Sequence, residues 1–92
     1  MKFAAIRDCR RTEPEQRYIH AALELWHGLP EPRRREAREL ISAIAVSPEE
    51  GRALFDVLAR GISPQTVAGK TGVQLNRLYT MRREFYDRYE IR

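Results

Sequence analysis

Apolar residues recur at helical spacing through most of the chain, and nowhere do they alternate with polar ones long enough to build a sheet. The pattern predicts an all-α, compact helical domain of about five helices. Thr12 followed by Glu15 forms a capping box, in which each side chain satisfies a free backbone N–H at a helix start, and Pro14 fits the first turn. The helix begun there is expected to reach about His27 and to stop at Gly28 and Pro30. Its buried stripe is expected to be Tyr18, Ala22, Leu25 and Leu29, with Ile19 and Trp26 on the flank. A second helix runs from Arg33 to Val46 with Ala37, Leu40, Ile41 and Ile44 inward. Arg33, Arg34 and Arg35 stand at its start, the end that the helix dipole makes unfavourable for cations. They are either a solvated face or committed to another use.

Ser47-Pro48-Glu49-Glu50 repeats the capping signature, Leu54, Phe55, Val57 and Leu58 supply the buried side, and Gly61 is placed to end that helix. Ser63-Pro64 opens a further helix that Gly72 closes, and an uninterrupted helical pattern then extends from Gln74 to Tyr89. Residues 1–11 stay open, because Phe3, Ala4, Ala5 and Ile6 suit either a short helix or an extended segment.

A chain of 92 residues makes one domain. It divides into the open segment 1–11, two supporting helices over 12–46 and the remaining helices over 47–92. With 42% apolar and 33% charged residues, and only five glycines and five prolines, it has no room for a long disordered tail. No apolar run approaches the roughly 20 residues of a membrane span, and Met1 to Ile6 is too short for a signal-peptide core. A cytoplasmic protein without a membrane partner is expected. Cys9 is the sole cysteine and reads as a reduced thiol. The net charge of +4 is unevenly placed: residues 1–30 carry five basic and four acidic groups, 31–61 six of each, and 62–92 six and three. A local excess of cations attracts polyanions, because neutralised phosphates release condensed counterions.

That excess coincides with the one motif that carries chemistry. A helix-turn-helix needs a small residue where its helices cross, a glycine able to take positive φ in the turn, and apolar residues that lock the second helix on the first. Between Pro64 and Arg83, Ala68 is the small residue, Gly72 lies four places later, and Val67, Val73, Leu78 and Met81 occupy locking positions. At about 100° per residue, Phe85 and Tyr89 share the Leu78 face, while Asn76, Thr80, Arg83 and Asp87 lie opposite. Asn and Gln bond adenine bidentately and Arg bonds guanine, so Gln74, Asn76, Thr80 and Arg83 are the base-contact candidates. Lys70, Arg77, Arg82 and Arg88 are the phosphate candidates, and the start of the Ser63 helix offers backbone N–H groups to another phosphate. Leu75, Tyr79 and Tyr86 form a flanking stripe expected to pack inward, with a thymine methyl or a dimer contact as alternatives.

The stretch from Leu54 to Tyr89, including Arg-Gly-Ile-Ser-Pro-Gln-Thr-Val-Ala-Gly-Lys-Thr-Gly-Val and Met-Arg-Arg-Glu-Phe-Tyr, resembles region four of bacterial sigma factors. It is also similar to small phage transcriptional activators of the ArpU and RinA type, which share that helix-turn-helix and often end in a run such as Arg82-Arg83-Glu84-Phe85-Tyr86. The resemblance implies a DNA-binding transcription regulator of phage or mobile-element type that contacts double-stranded DNA. A single helix-turn-helix binds weakly, so a homodimer or an RNA polymerase partner is implied as well. Sigma factors often carry serine where this chain has Gln74, and the resemblance does not extend to promoter-reading residues or to residues 1–46.

Other chemistry reads poorly. Gly69-Lys70-Thr71 resembles the end of a P-loop, but the first glycine of that motif would fall on Pro64 and no strand precedes it. His20, Glu24 and His27 fall within about 60° on a helix, yet opposite the expected Tyr18–Leu25 face they read as solvent-facing rather than as metal ligands. Cys9 has no identifiable orienting partner or oxyanion site. No enzyme, metal or cofactor is expected. The rival readings are a helical bundle that touches no DNA, a protein-interaction module docking polymerase or another regulator through Leu75, Tyr79 and Tyr86, and the DNA-binding part of a phage packaging small subunit.

Overall fold

The structure, a computed structural model, describes residues 5–91. Five α-helices follow one another: α1 (Glu13–Glu24), α2 (Glu31–Ile44), α3 (Pro48–Leu58), α4 (Pro64–Thr71) and α5 (Leu75–Arg88), with a 3-10 turn, Trp26–Gly28, between the first two. No strand occurs among the described residues, and the fold is all-α. No helix among them is long and apolar enough to cross a membrane.

Local chemistry sets most helix starts. Thr12 accepts from the Glu15 N–H while Glu15 accepts from the Thr12 N–H, which completes the capping box. Ser47 accepts from the Glu50 N–H, but the Glu50 carboxylate reaches back one residue further, to the Val46 N–H, and leaves the box half-formed. Ser63 accepts from the Thr66 N–H, so one backbone donor expected for a phosphate at the start of α4 is already used. Gly72 ends α4 at φ +80, a left-handed conformation that glycine adopts without steric cost.

α1 departs from expectation. It ends at Glu24, and Leu25 caps it with φ −95 and ψ 36, so Leu25 and Leu29 never join a helical stripe. The buried face is Gln16, Ile19 and Leu23; Tyr18 stands 48% exposed and Leu25 69%. Two apolar stripes overlap in this segment, and the one that continues into Trp26 wins. Trp26 meets the Phe55 ring edge-on at 4.9 Å, locking the 3-10 turn onto α3.

α2 starts at Glu31, two residues earlier than expected, and buries Ala37, Ile41 and Ile44, with Leu40 partly covered. Two of its three leading arginines are structural. Arg34 pairs with Glu31 and donates to the carbonyls of His27 and Leu29, closing the turn before the helix. Arg33 pairs with Glu36, donates to the Glu90 carbonyl at 2.7 Å and lies over the Tyr89 ring, fastening the end of the chain to α2. α3 contributes Ala53, Leu54, Val57 and Leu58 to the core, and Phe55, expected inward, is only partly buried. Val67 of α4, Leu78, Met81, Phe85 and Tyr86 of α5 and Tyr89 beyond it complete the core; of the four expected locking positions Val67, Leu78 and Met81 are buried, and Val73, like Ala68, is partly buried. α5 packs against α2, α3 and α4 at once.

The segment 5–11 is neither a free tail nor a helix. Gln16, a buried polar residue, takes the Ile6 N–H on its Oε1 at 2.7 Å and donates from Nε2 to the carbonyls of Ile6 and Arg11. Phe3 and Ala4, the first part of the alternative weighed for this stretch, lie outside the described residues.

Candidate nucleic-acid interface

α4, the three-residue turn Gly72–Gln74 and α5 carry the expected contact residues. Gln74 caps α5 in an extended conformation rather than starting it, and makes no side-chain cap bond. Gln74 and Asn76 are exposed, as are Lys70 at the end of α4 and Arg88 at the end of α5. The turn end of α5 is therefore open.

Further along, the outward face of α5 is occupied. Asp87 accepts the Arg10 N–H at 2.7 Å and the Cys9 thiol at 3.2 Å, and Arg11 donates to the carbonyls of Tyr86 and Tyr89. The segment 5–11 thus straps across the half of the helix where Thr80, Arg83 and Asp87 had been expected to face outward unhindered. Thr80 and Arg83, two of the base-contact candidates, line a cavity of about 340 Å³ shared with Ala5–Asp8, and are half-buried there. The Thr80 hydroxyl also donates back to the Asn76 carbonyl at 3.0 Å. Asp87, the one carboxylate among the four outward positions, is where the strap fastens, and no local pattern signals the pairing. Burial pushes the Cys9 thiol above its ordinary range; the Arg11 N–H opposes this and Asp87 adds to it, so the thiol stays protonated and able to donate.

Arg77 must be taken out of the phosphate-contact set. Its guanidinium turns inward, bonding Glu50 through Nε and Nη2 at 3.1 to 3.3 Å and the Ile44 carbonyl at 3.1 Å. That carbonyl is one of those a helix end leaves without an intrahelical partner, and Glu50 is the acid of the half-formed box, so one arginine ties α5 to both α2 and α3. The Arg77 guanidinium, with help from the Val46 N–H, holds the Glu50 carboxyl below its ordinary range.

Arg82 remains, half-buried, with its guanidinium over the Tyr79 ring at 5.3 Å and its Nε buried without a hydrogen-bond partner. The flanking stripe packs as expected where it is deepest. Tyr86 is 5% exposed and burial raises its hydroxyl pKa to about 12, while Leu75 and Tyr79 are half-covered and the Tyr79 hydroxyl accepts from Gln65 Nε2.

Electrostatics separate the two parts of the chain. Arg11, Arg17, Arg33, Arg34, Arg38, Arg52, Arg60 and Arg77 each have a carboxylate partner within 4.0 Å. Among the described residues, the side chains of Arg7, Arg10, Lys70, Arg82, Arg83 and Arg88 have none, and all six lie on the strap, α4 or α5; Arg35 of α2 is the exception. Apart from Arg77, the described cations of the last third are thus available rather than internally neutralised.

His20 pairs with Glu24 at 2.6 Å, His27 lies in the 3-10 turn, and no group of three or more His, Cys, Asp or Glu among the described residues is placed to hold a metal ion. Gly69 to Thr71 are the last turn of α4 rather than a phosphate loop. No family model, no curated protein and no solved structure matches the chain.

Proposed function

We propose that the chain is a sequence-specific DNA-binding transcription regulator, of the phage or mobile-element type that the sigma-like stretch suggests, in which α4 and α5 act as a helix-turn-helix. The observation that carries this reading is the segregation of cations: those of α1 to α3 are all spent on ion pairs except Arg35, whereas on the strap, α4 and α5 only Arg11 and Arg77 are. Unpaired arginines at a surface gain most from meeting phosphate, because no internal partner has to be given up. Recognition helices read bases with their N-terminal residues. Gln74 and Asn76, exposed at that end of α5, are the base readers, and Lys70 and Arg88 hold flanking phosphates.

The test is fluorescence-anisotropy binding to random duplex DNA across a salt series, followed by selection from a randomised pool. Salt-sensitive binding with an enriched motif is expected. Asn76→Ala should lose specific binding more than non-specific binding, and Arg88→Ala should weaken both and reduce the salt slope by about one. No binding at low salt would overturn the reading. Light scattering on the DNA complex separates a homodimer from a ring oligomer of the packaging type.

A second reading, a docking role, is favoured by a different surface from the one first expected. Tyr86 is buried, but an open groove of about 710 Å³ runs between α2 and α3, floored by Ile41, Ala45, Gly51 and Phe55, with Val46 82% exposed at its edge. Its apolar floor suits the apolar face of an amphipathic helix, such as a segment of the transcription machinery, while Arg38 and Arg52 at its rim are paired with Glu31 and Glu49. Filling the groove with Gly51→Leu should abolish capture of such a peptide and leave DNA binding unchanged.

A further inference from the structure

The cavity between the strap and α5 is lined by three cations and a single carboxylate. Arg7 reaches it from the strap, and Arg82 and Arg83 from successive positions of α5. None of the three has a carboxylate partner among the described residues, although Asp8 lines the same wall. Like charges converging on a small cavity repel one another, and a buried N–H without an acceptor is costly. Arg82 carries both burdens: its Nε is buried and unsatisfied while the Tyr79 ring holds its guanidinium in place. Tyr79 adds a donor, because its hydroxyl accepts from Gln65 and retains its own proton for another acceptor. Of these groups only Arg82 Nε is buried without a partner, while Arg7 is exposed and Arg83 half-buried, and neither bonds an acceptor among the described residues.

We propose that this cavity binds a phosphate group, with Arg82 as the central ligand, Arg7 and Arg83 as flanking forks and the Tyr79 hydroxyl as a fourth donor. A guanidinium presents parallel N–H groups that match two phosphate oxygens, so an oxyanion held by the terminal nitrogens of the three arginines would relieve their repulsion. Asp8 opposes the charge and keeps the affinity modest. Combined with the DNA reading, on which only its choice of source rests, the site grips a backbone phosphate between strap and helix, and makes Arg83 a phosphate contact rather than a base reader. A free phosphate-bearing molecule presents the same chemistry.

The full chain is titrated with inorganic phosphate at constant ionic strength while the arginine Nε–Hε signals are followed by NMR, with chloride as the control. Saturable shifts of Arg82 and Arg83 are expected. Arg82→Gln should weaken phosphate about tenfold. Arg82→Lys, which keeps the charge without the fork, should recover part of the loss, Asp8→Asn should strengthen binding, and Arg35→Gln on α2 should change nothing. Unchanged spectral dispersion checks that each variant is folded. Shifts that rise linearly and match the chloride control overturn the site. A second arm uses duplex DNA. Movement of the same signals by DNA identifies a backbone phosphate as the source. Phosphate saturation without any DNA binding identifies a free phosphate compound, so that the site stands and the DNA reading falls. DNA binding that leaves Arg82 and Arg83 unmoved overturns the site and leaves the DNA reading intact.

Discussion

Replacing Arg77 by methionine separates a structural arginine from a DNA-binding one. Methionine keeps the aliphatic stem but removes the bonds to Glu50 and the cap on the Ile44 carbonyl. Hydrogen bonds to charged groups contribute about 1.5 to 3 kcal/mol when sheltered. Exposed ion pairs contribute about 0 to 1 kcal/mol. The Arg77 and Glu50 side chains are 31% and 17% exposed, between these limits, which argues for about 1 to 1.5 kcal/mol from the pair. The stranded Ile44 carbonyl adds about 0.5 to 1 kcal/mol, for roughly 2 kcal/mol in all. In a domain of this size that lowers Tm by about 8 to 16 °C. Thermal and urea unfolding followed by circular dichroism measure the loss, and a double-mutant cycle with Glu50→Gln isolates the pair. The inward assignment would be refuted by a change below about 0.5 kcal/mol, the ordinary surface value, accompanied by weaker DNA binding with a shallower salt slope.

Three further outcomes follow from the same geometry. Because the Glu50 carboxyl is held below its ordinary range, the unfolded chain takes up its proton first as pH falls. The pair's stabilisation is thus complete above the unfolded pKa and is lost through the folded one, so urea midpoints of the wild type should fall more steeply than those of Glu50→Gln between about pH 5 and pH 3. On α1, Leu23→Ala should cost about 2 to 5 kcal/mol and Leu25→Ala less than about 0.5 kcal/mol in denaturant unfolding, and the reverse order would restore the stripe that the local pattern suggested. At Gly51 an added Cβ meets nothing nearer than 3.9 Å, so Gly51→Ala should raise stability by about 0.5 to 1 kcal/mol, whereas Gly72→Ala, forced into φ +80, should lower it by about 1 to 2 kcal/mol.

What the sequence determined by itself was everything decided within a few residues. Thr12, Ser47 and Ser63 start helices because their oxygens reach an N–H three residues on, and Gly72 stops one because no other residue takes φ +80 so cheaply. The angular split of α5 was legible for the same reason: Leu78, Met81 and Phe85 repeat at helical spacing along one unbroken element. Only the tertiary structure decided which of two overlapping stripes on α1 is buried, since both satisfy the helical period and the choice belongs to Phe55 on another helix. It also decided where the arginines go. Composition leaves them equivalent, yet Arg77 meets Glu50 across 27 residues while Arg82, five positions later, finds no acceptor. The strap is the farthest from sequence reach: the Arg10 N–H meets Asp87 across 77 residues, a pairing that no local pattern encodes because it exists only once the two ends of the chain have been brought side by side.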